Sequence, residues 1–264
     1  MLRLITLSIA TAAFAAAAVA DTAYVKPSDF TPHLGQTITV EVSFSNYCCE
    51  PRYAVRTNTY AVIGPDGVSS SPDRIETLAT TTMLEQTIAS TGTTRISTGE
   101  RLGRTGEYVQ VDGTYYLVNS PDAELTQIPS GTSVLSSQTV TVSDAYVTVG
   151  TQDWGAIRSN LGRLALTPAI HPSSAVVGSP FIVRISFDGE PLAKQDVILS
   201  NETQRLYQQS ETQAQTDPDG LVTITFEAPG THVIMARHRA PAPSGADTDI
   251  RSYTTALTLN VAPH

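Results

Sequence analysis

The sequence predicts an all-β protein made of two tandem antiparallel β-sandwiches, and three observations carry that reading. Apolar and polar residues alternate with a period of two along most of the chain, which buries one face of a strand and leaves the other wet. Asp-Gly pairs stand beside such runs at Asp66-Gly67, Asp112-Gly113, Asp188-Gly189 and Asp219-Gly220. They mark tight turns, because Asp bonds back to the local backbone and Gly accepts positive φ. Helical periodicity is almost absent, and only 16% of the residues are charged, while Thr, Ser and Val are abundant, a balance that suits strands.

The chain opens with a leader pattern. Arg3 supplies a positive charge, Leu4 to Val19 form an Ala-rich apolar run, and Ala18-Val19-Ala20 fits the small-x-small rule of signal peptidase. Cleavage after Ala20 and a periplasmic protein are therefore expected. A membrane anchor needs about 20 apolar residues; this run is shorter, and no Cys follows it to carry a lipid. No later run is long enough to span a bilayer, so no membrane span is expected after cleavage. The formal net charge is −9, and loss of Arg3 makes it one unit more negative. That sign repels phosphate backbones and argues against a nucleic-acid partner.

The mature chain, about 240 residues, is long enough for two ordinary domains. The expected division is a signal peptide at 1–20, a sandwich at 21–150, a connection at 151–161 holding the only Trp (Trp154), and a second sandwich at 162–264. In the first sandwich, Gln36 to Ser45 alternates with Ile38, Val40, Val42 and Phe44 on one face. Tyr53 to Ile63, Thr114 to Val118 and Gln138 to Val149 are further strand candidates. Ile75 to Ile88 lies in a stretch rich in Ser, Thr and Ala, and reads as a helix or as a long loop. In the second sandwich, Phe181 to Phe187, Asp196 to Ser200, Leu221 to Phe226, His232 to Arg237 and Tyr253 to Val261 are predicted strands.

An internal similarity links the halves. Gly35 is followed nine residues later by Phe44, and Gly178 nine residues later by Phe187, each block preceded by a Pro-containing stretch around Pro27 or Pro168. One strand-entry pattern used twice is the expected reading, with convergent strand composition as the alternative. The second half also turns at Asp188-Gly189, at Asp219-Gly220 and at Pro229-Gly230, each turn leading into a strand. This succession resembles transthyretin-like or carboxypeptidase-regulatory-like sandwich modules, within the wider immunoglobulin-like class.

Catalytic motifs are not found: no phosphate loop, dinucleotide fingerprint, zinc-protease helix or nucleophile elbow is present. Gly99, Gly103 and Gly106 superficially suggest a phosphate cradle, but no Lys-Ser/Thr pair follows, and a turn or bulge explains them. The expectation is a protein that is not an enzyme. No two of the five His residues have the i, i+2 or i, i+4 spacing that aims two imidazoles at one metal. Cys48-Cys49 is the sharpest local feature. Adjacent thiols in an oxidising compartment can close a vicinal disulfide, serve a redox role, bind a soft metal or pair between chains, and incidental thiols are the remaining reading. Arg237-His238-Arg239 makes a basic patch, and Asp247 and Asp249 sit in a loop before the last strand.

Several segments in order resemble one family. They are Tyr24 to Phe30, Tyr60 to Gly67, Thr94 to Arg104 and Asp188 to Ala193. The chain resembles the domain-of-unknown-function family DUF4198, described as similar to periplasmic components of nickel and cobalt uptake. The resemblance implies a non-catalytic accessory protein associated with transition-metal uptake, with an envelope transporter or outer-membrane receptor as partner. Relatives commonly begin the mature chain with Ala-His and carry His in the loop before the final strand. The matching positions here hold Asp21 and the group Asp247, Asp249 and Arg251. A divalent transition metal (nickel, cobalt or copper type) is thus implied, with Asp21, His238, Asp247 and Asp249 as its ligands. The alternative is an envelope interaction module with no metal role.

Overall fold

A strand with one apolar face must bury that face against another sheet, and among the described residues three sheets do so. The computed structural model describes residues 21–46, 48–125, 127–159, 161–203 and 212–264; the expected leader, 1–20, lies outside them. The first half holds β1 (Thr22–Pro27), β2 (Thr37–Ser45), β3 (Tyr53–Ala54), β4 (Ala61–Ile63), β5 (Ser69–Ser70), β6 (Arg74–Thr77), β7 (Thr82–Thr87), β8 (Gly92–Ser97), β9 (Arg101–Val111), β10 (Thr114–Val118) and β11 (Val134–Val149). A single helical turn, α1 (Gly155–Arg158), lies in the segment expected to connect the halves. The second half holds β12 (Leu164–Pro168), β13 (Pro180–Phe187), β14 (Glu190–Pro191), β15 (Asp196–Asn201), β16 (Thr212–Gln215), β17 (Leu221–Thr225), β18 (Gly230–Pro241) and β19 (Ile250–Val261), with a 3-10 turn at Pro172–Ser174. Among the described residues no helix is long and apolar enough to cross a membrane.

The fold is an all-β sandwich. One sheet runs β1-β2-β7-β6 with β3 on β2, and another runs β12-β13-β14 with β17 on β13. The third, a ten-stranded sheet in the order β16-β15-β18-β19-β11-β8-β4-β5 with the β9-β10 hairpin on β11, contains strands of both halves. Its seam is the parallel pairing of β11 with β19, in register from Ser137↔Ile250 to Ala145↔Thr258.

The two small sheets cover opposite faces of the large one. On β11, Ala145, Val147 and Val149 join the first core with Val25, Val40 and Leu84. On β19, Leu257, Leu259 and Val261 join the second core with Phe181, Val183 and Phe226. Ala145 is paired beside Thr258, whose neighbours Leu257 and Leu259 point the other way, as strand alternation requires.

The similarity of the two halves extends to register. Pro27 pairs with Val40 and Pro168 with Val183, while Thr37 pairs with Thr87 and Pro180 with Thr225. Gly35 and Gly178 have φ of 82° and 77°. Each donates its N–H to the carbonyl just beyond the neighbouring strand, Ile88 at 2.8 Å and Phe226 at 3.0 Å.

Two sequence readings are corrected. Ile75 to Ile88 is neither a helix nor a long loop but the β6-β7 hairpin, closed by Leu78 N–H on the Thr81 carbonyl at 2.8 Å. Thr82 and Leu84 face inward there while Met83 and Glu85 are half exposed; a Thr in the apolar series conceals the alternation. Tyr53 to Ile63 is not one strand. β3 pairs with β2 and β4 with β8, so the chain crosses between sheets within this segment.

Candidate ligand-binding cleft

The face of the large sheet that carries the first sheet is only partly covered. Along β18, Val233 and Met235 lie under Tyr24 of β1 in a third apolar cluster. The next residues on that face, Arg237 and Arg239, lie beyond the cover of the first sheet and line a cleft of about 610 Å³. β19 and β11 change character in the same way. Ala256 gives way to Thr254 and Ser252, and Ala145 gives way to Thr141, Thr139 and Ser137, all on the cleft floor.

Register aligns these residues. Arg237 pairs with Thr254, Thr254 with Thr141, and Thr141 with Arg101. Four neighbouring strands thus present one row with an Arg at each end and hydroxyls between. Three strand spacings put the two Arg backbones ~14 Å apart. A register shift between Gln138 and Val140 turns β9 beside this row. Gly103 is required there, since a Cβ would meet the Thr139 Oγ1 at 2.3 Å; the glycine serves a bulge rather than a phosphate.

The walls come from elsewhere. Phe44 and Tyr53 stand over one side, and Tyr108, Leu117 and the loop of Asn119 to Glu124 over the other. Arg239 is held by Glu124 through two bonds of 2.6 and 2.9 Å, donates to the Tyr115 carbonyl at 2.6 Å, and lies 4.8 Å from the Tyr108 ring centre. Its buried Nε has no hydrogen-bond partner among the described residues. Arg101 donates Nε to the Arg56 carbonyl at 2.9 Å and lies 5.3 Å from the Phe44 ring centre. Burial lowers its pKa from the ordinary guanidinium value. It has no carboxylate partner among the described residues, and its partial burial makes a counter-charge there favourable.

The residues expected from sequence to hold a divalent metal are spread out. Asp21 does line the cleft, paired with Arg52 at 3.4 Å. His238 lies on the other face of β18, its ring 4.8 Å from that of Phe187. Asp249 accepts from the Ser136 N–H and hydroxyl at 2.8 and 2.7 Å, which lowers its pKa. Asp247 is exposed in the adjoining loop. These four form no common coordination group, and no three His, Cys, Asp or Glu side chains do so among the described residues. Cys48 and Cys49 are both free thiols, Cys48 buried and Cys49 partly so. Cys49 has φ of 66°.

Sequence reading missed Arg101, Thr141 and Thr254. The available signal was the alternate polar spacing Thr139-x-Thr141, Arg237-x-Arg239 and Ser252-x-Thr254, which a wet outer face produces equally well.

Fold and cleft together define a tandem β-sandwich protein with a ligand-sized cleft on the face of its shared sheet. The chain belongs to the DUF4198 family, a domain of unknown function, whose profile matches residues 18–240. No curated protein matches it. Among solved structures, the D0-D1 domain of intimin is similar at 12% identity, with 89% of this chain and 96% of that one covered and a TM-score of 0.23. A DUF4785 protein of Legionella pneumophila is similar at 10% identity, with 80% and 50% covered and a TM-score of 0.25. The amphioxus IgVJ-C2 molecule is similar at 12% identity, with 88% and 99% covered and a TM-score of 0.21.

Proposed function

We propose that this is an exported, non-catalytic binding protein whose ligand, a small molecule bearing carboxylate or similar oxyanion groups, occupies the cleft. The observation that carries the reading is Arg101, half-buried without a carboxylate and placed in one registered row with Thr141, Thr254 and Arg237. Guanidinium groups bind carboxylates through paired N–H donors, and hydroxyls add neutral hydrogen bonds. About 610 Å³ lies within the usual ~300–1,000 Å³ of small-molecule sites. The association with transition-metal uptake enters through the family resemblance. In this reading the metal arrives as an anionic chelate whose carboxylates meet the arginines, so bare ions have no site in the cleft.

Calorimetric titration of the full chain with di- and tricarboxylates, their nickel, cobalt and copper chelates, and the bare ions tests this. An acid or chelate should bind more tightly than ~1 mM, and Arg101→Met should weaken it at least ~10-fold, since a charged hydrogen bond contributes about 1.5–3 kcal/mol. Binding of bare ions alone, unaffected by Arg101→Met, would contradict it.

One observation favours the interaction-module reading. β6 ends the first sheet, all four of its residues are exposed, and Ile75 and Leu78 are 46% and 47% exposed. An open edge of this kind accepts a partner strand. Pull-down from membranes that survives a chelator and is lost in Ile75→Lys supports that reading.

A further inference from the structure

We infer that Cys48, Cys49 and Met235 form a binding site for one soft monovalent transition-metal ion, with Cu(I) as the representative. Cys48 and Cys49 lie in the turn after β2, while Met235 belongs to β18 of the other half. The third apolar cluster brings them together: Tyr24, Cys48, Val233, Met235 and Ala256 are buried in it, and Cys49 and Ile198 pack at its margin. The sequence has two Cys and three Met, and Met1 belongs to the expected leader. Of the four sulfur side chains left, only Met83 lies elsewhere, so the grouping draws on nearly all the soft ligands the chain has.

Between Cys48 and Met235 is a small cavity of about 20 Å³, lined also by apolar Tyr24, Ile198 and Val233 and by polar Ser45 and Ser200, while Cys49 packs at the margin of the cluster beside Cys48. A space needs ~10–15 Å³ to hold one water, so this one admits a single water or a single ion. Cys48 and Cys49 are consecutive in the turn, Cys49 with φ of 66°, and the Cys48 thiol donates to the Thr231 carbonyl of β18 at 3.9 Å. The Lys26–Glu202 ion pair, at 3.1 Å, lies close enough for both of its charges to act on the Cys48 sulfur with opposite signs.

Thiolate and thioether sulfur favours Cu(I) over harder ions. A closed zinc site needs four ligands, and no third His, Cys, Asp or Glu joins the two thiols among the described residues. On binding, two S–H bonds break, two copper–thiolate bonds form, the thioether donates a lone pair, and two protons leave to solvent. No electron is transferred. The resulting complex carries one negative charge.

This site is separate from the cleft and stands or falls independently of it. The test is anaerobic titration of the reduced full chain with Cu(I) against a chromogenic Cu(I) chelator, with X-ray absorption of the loaded protein. One Cu(I) per chain with three sulfur neighbours is expected. Cys48→Ser and Cys49→Ser should weaken binding by more than the roughly 100-fold at the upper end for outer-shell changes, and Met235→Leu by at least roughly 10-fold. Met83→Leu should leave binding unchanged. Met235→Leu conserves side-chain volume and so keeps the fold, which leaves the test decisive even if a serine variant fails to fold. Failure to withdraw Cu(I) from the chelator, wild-type affinity in Met235→Leu, or displacement of Cu(I) by Zn(II) would each overturn the site.

Discussion

The guanidinium of Arg95 on β8 closes a two-point ion pair with the carboxylate of Asp144 on β11, at 2.9 and 2.6 Å, with both side chains about 5% exposed. Its remaining arm donates to the carbonyl of Ser159, just past α1. The pair therefore fastens the connecting segment to the seam of the shared sheet. A buried pair adds little net stability, but removing one partner strands a charge and costs about 3–5 kcal/mol. Asp144→Ala should lower stability by that amount in urea unfolding, and Arg95→Met/Asp144→Leu should recover most of it.

The shared sheet makes the two halves one cooperative unit. The parallel β11-β19 seam and the third apolar cluster both have to break before either half unfolds alone. Trp154 reports on the junction, its ring edge-on to His171 at 5.4 Å. Its fluorescence and the far-UV signal should trace one coincident urea transition. Two separated transitions would mean that the seam does not couple the halves.

Acid should weaken the fold in two stages. Burial lowers the pKa of His171, His232 and His238 below the ordinary 6.5. The unfolded chain therefore takes up protons first, and this stability, complete above about pH 6.5, declines as pH falls below it. The carboxylate of Asp188 is lowered by its hydrogen bonds to Arg163, so its contribution is lost at still lower pH. Melting temperature should fall between pH 7 and 5, and fall again below about pH 4. A flat profile down to pH 4.5 would contradict this.

Glu124 sets how much positive charge the cleft offers. It ties up Arg239 in a pair that is 34% and 22% exposed, for which the stability contribution is about 0.2–1 kcal/mol. Glu124→Ala should therefore leave the fold nearly intact while tightening an anionic ligand. Weaker carboxylate binding in this variant, measured calorimetrically, would count against an anion site.

The sequence carried the strands because burial of alternate residues leaves a direct trace, as in β2, β13 and β19. It could not carry the β11-β19 pairing, since alternation within a strand says nothing about which distant strand lies beside it. The cleft was hidden for a related reason. Thr141, Thr254 and Arg237 belong to strands far apart in sequence, and their polar face reads as an ordinary solvated one. Asp21, picked out through the family resemblance, does reach the cleft, whereas His238 is turned away from it by strand alternation.

Hydrogen exchange of the full chain, with and without a bound tricarboxylate or its nickel chelate, tests the cleft most directly. Slowed exchange should appear in β9 and at Arg237 to Arg239, Thr139 to Thr141 and Ser252 to Thr254, and Arg101→Met should abolish it. Protection confined to β6 or to the loop of Asp247 and Asp249, or protection that persists in Arg101→Met, would place the ligand elsewhere.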